Sequence, residues 1–206
     1  MSGNPMYNIS YGLFVLATND GRKDNGCIIN TLAQVTTDPN QVTLAVNKAN
    51  YTHDVLAKTK EFTASIISEA AEFSLFKHFG FQSGKDVDKF ADFTDVQRAA
   101  NGTLAVCKGT NAYIAGRVKE IMDVGTHSIF LADVTDMQIL SEIASATYSY
   151  YQSSIKPKPP AGGVAKGKTV WRCKICGYEY EGEELPEGFI CPICKHGASD
   201  FEKVTG

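Results

Sequence analysis

No apolar run near the N-terminus is longer than Leu13 to Ala17, far short of the ~20 residues that a membrane-spanning helix needs. No basic stretch precedes that run, so no export signal is expected and a cytoplasmic, reducing setting is. An excess of either charge is also missing. The chain of 206 residues carries 20 Lys and Arg against 23 Asp and Glu, a formal net charge of −3. It therefore lacks the basic footprint of a nucleic-acid binder, and no nucleic-acid or membrane partner is expected. There is no internal repeat, low-complexity tract or coiled-coil heptad. Residues 1–155 hold no Walker motif, no nucleophile elbow and no G-x-G-x-x-G, so phosphate binding there would need another arrangement. What is present is ordinary globular material, with 43% hydrophobic and 21% charged residues, which excludes disorder throughout.

Cysteine is unevenly spread. Of six cysteines, Cys173, Cys176, Cys191 and Cys194 crowd into the C-terminal end, while Cys27 and Cys107 stand alone. Between the two regions lies KPKPPAGGVAKGK, residues 156–168, rich in Pro, Gly and Lys and without apolar period. It reads as a linker with a reach of about 40 Å at roughly 3.1 Å per residue, with a flexible joint at Gly162 and Gly163. The chain then divides into residues 1–155, the linker 156–168, and residues 169–206. The last unit is too small for an apolar core alone and needs a staple.

The larger unit is predicted to be mainly β. Leu13–Thr18, Cys27–Val35, Gln41–Val46, Phe62–Ile67, Ala112–Met122 and Ser128–Val134 are rich in β-branched, aromatic or alternating apolar residues and are bounded by Gly, Asp and Asn. An antiparallel barrel follows. Short helices are predicted after Thr52, where Asp54 lies early and Lys58 late, and from Ser68, where Phe73, Phe76 and Phe79 share a helical face. Cys27 and Cys107 are most simply small buried hydrophobes.

In the small unit, C-x2-C recurs after fourteen residues (191 − 176 − 1), and two such knuckles bring four thiolates to one tetrahedral ion. Soft sulfur ligands narrow the metal to iron or zinc, and spacing alone serves both. The intervening residues go further. WRCKICGYEYEGEELPEGFICPICKHGASDF, with C-x-x-C-G-Y, C-P-x-C and an aromatic set of Trp171, Tyr178, Tyr180, Phe189 and Phe201, resembles the short-loop rubredoxin domain found at the end of rubrerythrins. Lys195 and Ala198 depart from that pattern, and neither removes a ligand. The resemblance implies one iron cycling between ferrous and ferric states on Cys173, Cys176, Cys191 and Cys194.

In the larger unit GCIINTLAQVTTDP, VNKANYTHDVL, FGFQSGKDVDKF and GTHSIFLADV occur in that order. Over nearly all of residues 5–152 the chain resembles the flavin reductase family of FMN-binding split barrels. The resemblance implies that Asn30, Thr31 and Gln34 run along the flavin ring and polyol, largely through backbone groups. It places Asn47, Lys48, Tyr51, Thr52 and His53 under the phosphate. Independently, a Thr and amides opening a helix offer orphan N–H donors to an anion, with Lys48 adding charge. A capped helix with a solvated Lys48 is the plainer alternative. The resemblance sets His127 near flavin and nicotinamide, as an orienting or electrostatic group with no proton-transfer role. Tyr148, Tyr150 and Tyr151 either wall the flavin or cover the barrel's edge.

The combination resembles the high-molecular-weight rubredoxins, which implies an oxidoreductase. Its expected route runs from NADH or NADPH through FMN and iron to a separate acceptor of flavodiiron type that reduces nitric oxide or dioxygen. A homodimer is implied as well. The competing reading is a flavin-binding module with a structural zinc ribbon that docks a partner protein.

Overall fold

A computed structural model describes residues 8–157, 169–174, 178–191 and 197–205. The linker beyond Pro157, together with Cys176, Cys194 and Lys195, lies outside the described residues. The larger unit is built on seven strands. These are β1 (Phe14–Asn19), β2 (Asp24–Ile29), β3 (Leu32–Thr37), β4 (Asn40–Asn47), β5 (Glu61–Ile67), β8 (Thr110–Asp123) and β9 (His127–Ile139). They pair in the order β2-β1-β5-β8-β9-β4-β3, antiparallel throughout. The outermost strands, β2 and β3, are consecutive in the chain and separated only by Asn30 and Thr31. The sheet therefore returns to its starting point as a barrel whose seam lies at that turn. The single strand expected over Cys27–Val35 is in fact these two strands.

Side-chain alternation explains the closure. Phe14 and Leu16 of β1, Leu44 of β4, Phe62 of β5 and Phe130 of β9 turn into one core. Helix α1 (Tyr51–Thr59) adds Leu56, fully buried, to that core. It ends at Lys60, whose left-handed backbone sends its N–H to the Leu56 carbonyl. Val15, on the other face of β1, packs with Leu75, Phe76 and Phe79 of helix α2 (Phe73–Gly80). With both faces covered, β1 reads as a continuous apolar run rather than an alternating one.

Helix α2 begins later than Ser68, which instead pairs with Ser145 in an isolated bridge. A small hairpin of β6 (Val96–Arg98) and β7 (Leu104–Val106) was not expected from sequence. Thr147 caps α3 (Tyr148–Tyr150) by accepting the Tyr150 N–H at 3.0 Å, and the chain continues as a π-type turn over Tyr151–Ile155. The C-terminal unit is a three-stranded sheet, β11-β10-β12, of β10 (Thr169–Cys173), β11 (Glu179–Glu181) and β12 (Phe201–Thr205). Among the described residues no helix is long and apolar enough to cross a membrane.

Candidate cofactor pocket and metal centre

The loop from Asn47 to Asn50 is wound tightly at one end of the barrel. Asn47 stands opposite His127 in the β4–β9 register, and its side-chain oxygen accepts the Ala49 N–H at 2.9 Å. The Lys48 N–H donates to the Thr126 carbonyl at 3.0 Å. Asn50 precedes α1 without a side-chain cap, so the N–H groups of Tyr51 and Thr52 open outward without helical partners. Thr52 is buried and its hydroxyl accepts the Asn25 amide at 2.7 Å. His53 is fixed from two sides: Nε2 lies 2.9 Å from Ser128 Oγ and Nδ1 lies 3.1 Å from Asp54. His127 Nδ1 lies 2.9 Å from the Thr126 hydroxyl.

Below this helix end is a pocket of about 150 Å³ lined by Cys27, Asn50, Thr52, Gly84 and Lys89, among others. Gly84 comes so close to Asn25 that a Cβ there would overlap its amide oxygen. The Lys23 ammonium holds the Gly84 carbonyl at 2.8 Å. Burial pushes the Cys27 thiol pKa up and the Lys89 ammonium pKa down. A second, larger cleft of about 950 Å³ opens beside the barrel seam, with Tyr11, Asn30, Thr31 and Tyr148 on its barrel side. Lys174 and Asp200 of the C-terminal unit also line it. Cys27 in the small pocket and Asn30 in the cleft are three residues apart, roughly 10 Å of extended chain. A ligand with a planar ring and a phosphorylated polyol spans that distance.

The site residues named from sequence fall into three groups. Asn30, Thr31 and Tyr148 line the cleft, with the Thr31 hydroxyl donating to the Ala45 carbonyl at 2.7 Å. Asn47, Tyr51, Thr52, His53 and His127 gather around the start of α1 and β9. Lys48 and Gln34 point elsewhere. The Lys48 ammonium meets Asp123 at 2.5 Å and, with the Gly125 N–H, holds that carboxyl below the usual carboxylate range. Gln34 donates to Asn40 at 2.8 Å on an exposed stretch of β3. The tyrosines differ in their surroundings. Tyr151 is buried against Phe76 with ring centroids 4.4 Å apart, whereas Tyr148 is 38% exposed at the cleft.

Asn25, Gly84 and Lys89 were missed in the sequence reading. The available signal was the segment Phe79–Phe90, which carries two cations, Lys85 and Lys89, among its aromatics, with nothing local to say which of them is buried.

In the C-terminal unit Cys173 and Cys191 are 1% and 0% exposed and pack into one cluster with Phe201, Trp171, Tyr178 and Phe189. Two buried thiols converging in so small a core fit a soft metal ion. Cys176 and Cys194 lie outside the described residues.

An antiparallel barrel left open at its β2–β3 seam, with an anion-ready helix end and joined to a thiol-centred small unit, defines an oxidoreductase of the flavin reductase type with an electron-carrying appendage. The family model for the flavin reductase like domain matches residues 6–158, and that for the rubrerythrin, rubredoxin-like domain matches residues 171–202. The high molecular weight rubredoxin of Moorella thermoacetica is 31% identical, over 99% of this chain and 100% of that protein. The ferric-chelate reductase (NAD(P)H) of Archaeoglobus fulgidus is 29% identical, over 78% and 94% respectively. Among solved structures, the NADH:FAD oxidoreductase SgcE6 of Streptomyces globisporus superposes with a TM-score of 0.62 at 22% identity, covering 69% of this chain and 83% of that one. The chain belongs to the flavin reductase like family and, by similarity along its whole length, to the high molecular weight rubredoxins.

Proposed function

We propose that this oxidoreductase takes electrons from NADH or NADPH at a bound FMN and passes them through an iron held by Cys173, Cys176, Cys191 and Cys194 to a separate acceptor protein of flavodiiron type. When bound, the flavin supplies the exchange between two-electron and one-electron chemistry, and a four-thiolate iron carries electrons singly. The observation that carries this reading is the large cleft. Asn30, Thr31 and Tyr148 face it from the barrel, and Lys174, next to Cys173, faces it from the metal unit. The Lys156 ammonium donates to the Lys174 carbonyl at 3.1 Å, tying the start of the linker to the first knuckle.

The chain's residues then take these roles. Backbone groups at Asn30, Thr31 and Gln34 lie along the ring and polyol, and Tyr148 walls the ring. Asn47, Tyr51, Thr52 and His53 serve the phosphate end, while the Lys48 ammonium, held by Asp123, braces the loop that carries them. The uncapped start of α1, supported by Asn25 from behind, supports that assignment. His127 orients the nicotinamide and ring without moving a proton, since hydride transfer needs close stacking more than an acid or base. The functional units are residues 1–155 and 169–206, joined by the linker 156–168, and the protein works as a cytoplasmic homodimer. Exposed Met122, Met137 and Ile139, 63%, 64% and 74% accessible, are apolar surface suited to a second copy.

The test is the visible spectrum and metal content of protein purified under mild conditions from its native host. Both flavin and ferric tetrathiolate bands are expected, and Cys191→Ser should abolish the ferric bands while flavin stays bound. Stoichiometric zinc without iron would replace this reading with that of a structural ribbon.

A further inference from the structure

Lys89 is 3% exposed. Its ammonium donates to two carbonyls, Gly26 at 2.7 Å and Phe79 at 2.9 Å, out of three donors available. Among the described residues no carboxylate pairs with it, and the titratable group acting on it is the Cys27 thiol, which burial keeps protonated. A buried cation with two dipoles and no counter-ion is costly, and such charges are ordinarily paired. The side chain lines the small pocket below the open first turn of α1. Lys48, the cation that the sequence offers for this role, is instead engaged by Asp123.

We propose that Lys89 is the cation that holds a phosphate monoester in this pocket, from beneath, opposite the free N–H groups of Tyr51 and Thr52. This rests on the flavin reading and adds to it the residue that makes the site select a phosphorylated flavin over an unphosphorylated one. A phosphate monoester brings between one and two negative charges at neutral pH, supplying the missing counter-ion. Riboflavin brings none. The 150 Å³ volume suits a terminal phosphate.

The experiment measures FMN and riboflavin binding to the flavin-free full-length chain, and thermal protection by inorganic phosphate, in the unaltered protein, Lys89→Gln and Lys89→Met. Gln keeps donors for the two carbonyls, and Met keeps the volume. In either folded variant FMN affinity should fall about 30-fold, the scale of a lost charged hydrogen bond. Riboflavin affinity should stay within about threefold on the same scale, and phosphate protection should vanish. Equal weakening of both flavins would overturn the proposal by making Lys89 merely structural, and unchanged FMN binding would overturn it outright. If neither variant folds, equal affinity of the unaltered protein for FMN and riboflavin overturns it, and a clear preference for FMN supports it. Phosphate protection that depends on Lys89, in a protein that binds neither flavin, would sustain the anion site while removing the flavin reading.

Discussion

Cys27 lies on the floor of the small pocket, with the Asn50 amide 3.8 Å from its sulfur and the barrel core around it. Burial raises its pKa, against a smaller opposing effect of the Thr52 hydroxyl. Because the folded-state value lies above the unfolded one, the stability that the neutral thiol contributes is complete below the ordinary thiol pKa of about 8.5. It is lost as pH climbs through the raised value. The thiolate is the nucleophile, so iodoacetamide at pH 8 should leave Cys27 unmodified in the folded chain, by peptide mass mapping, and modify it after denaturation. Labelling at equal rates in both states would contradict this. Cys173 and Cys191 are buried in a different setting, packed with Phe201 and beside Trp171, Tyr178 and Phe189.

At the scale of elements, the long hairpin of β8 and β9 sets the barrel's shape. Its register shifts between Ala115 and Gly116, and a Cβ at Gly116 would meet the Phe62 ring at 2.7 Å and the Asp133 carbonyl at 2.8 Å. Phe62 is fully buried in the core, so neither neighbour gives way cheaply. Gly116→Ala should destabilise the larger unit by about 1–3 kcal/mol, the usual penalty of overpacking, read as a lowered urea midpoint. A change within roughly 0.5 kcal/mol would mark the close approach as dispensable. Most of the strands that make the barrel were legible in the sequence because β-branched residues and turn clusters alternate along it. The seam was not. Apolar residues run through Cys27, Ile28 and Ile29 and resume at Leu32 and Val35, so only the pairing of β2 and β3 with different partners shows the break. Helix α2 starts late because Ser68 serves a bridge to Ser145 rather than a cap. The proposed metal ligands stand out in the sequence for the opposite reason: two close pairs of cysteines carry their pattern in local spacing. Asn25, Thr52, Gly84 and Lys89 meet only through tertiary folding, and no local pattern joins them.

For the whole molecule, the cleft and the exposed apolar strands lead to separate expectations. Sedimentation at micromolar concentration should give a dimer with flavin bound, and a monomer retaining flavin would remove the homodimer assignment. The central claim, however, concerns order: electrons enter at the flavin and leave through iron, because a four-thiolate site accepts no hydride. The most direct measurement mixes the anaerobic full-length chain with NADH in a stopped-flow instrument and follows flavin and ferric absorbance separately, in protein with and without its flavin. The account predicts that flavin absorbance falls before the ferric bands in the intact protein, and that the ferric bands persist when flavin is absent. Ferric bleaching by NADH in the flavin-free chain, as fast as in the intact one, would contradict it.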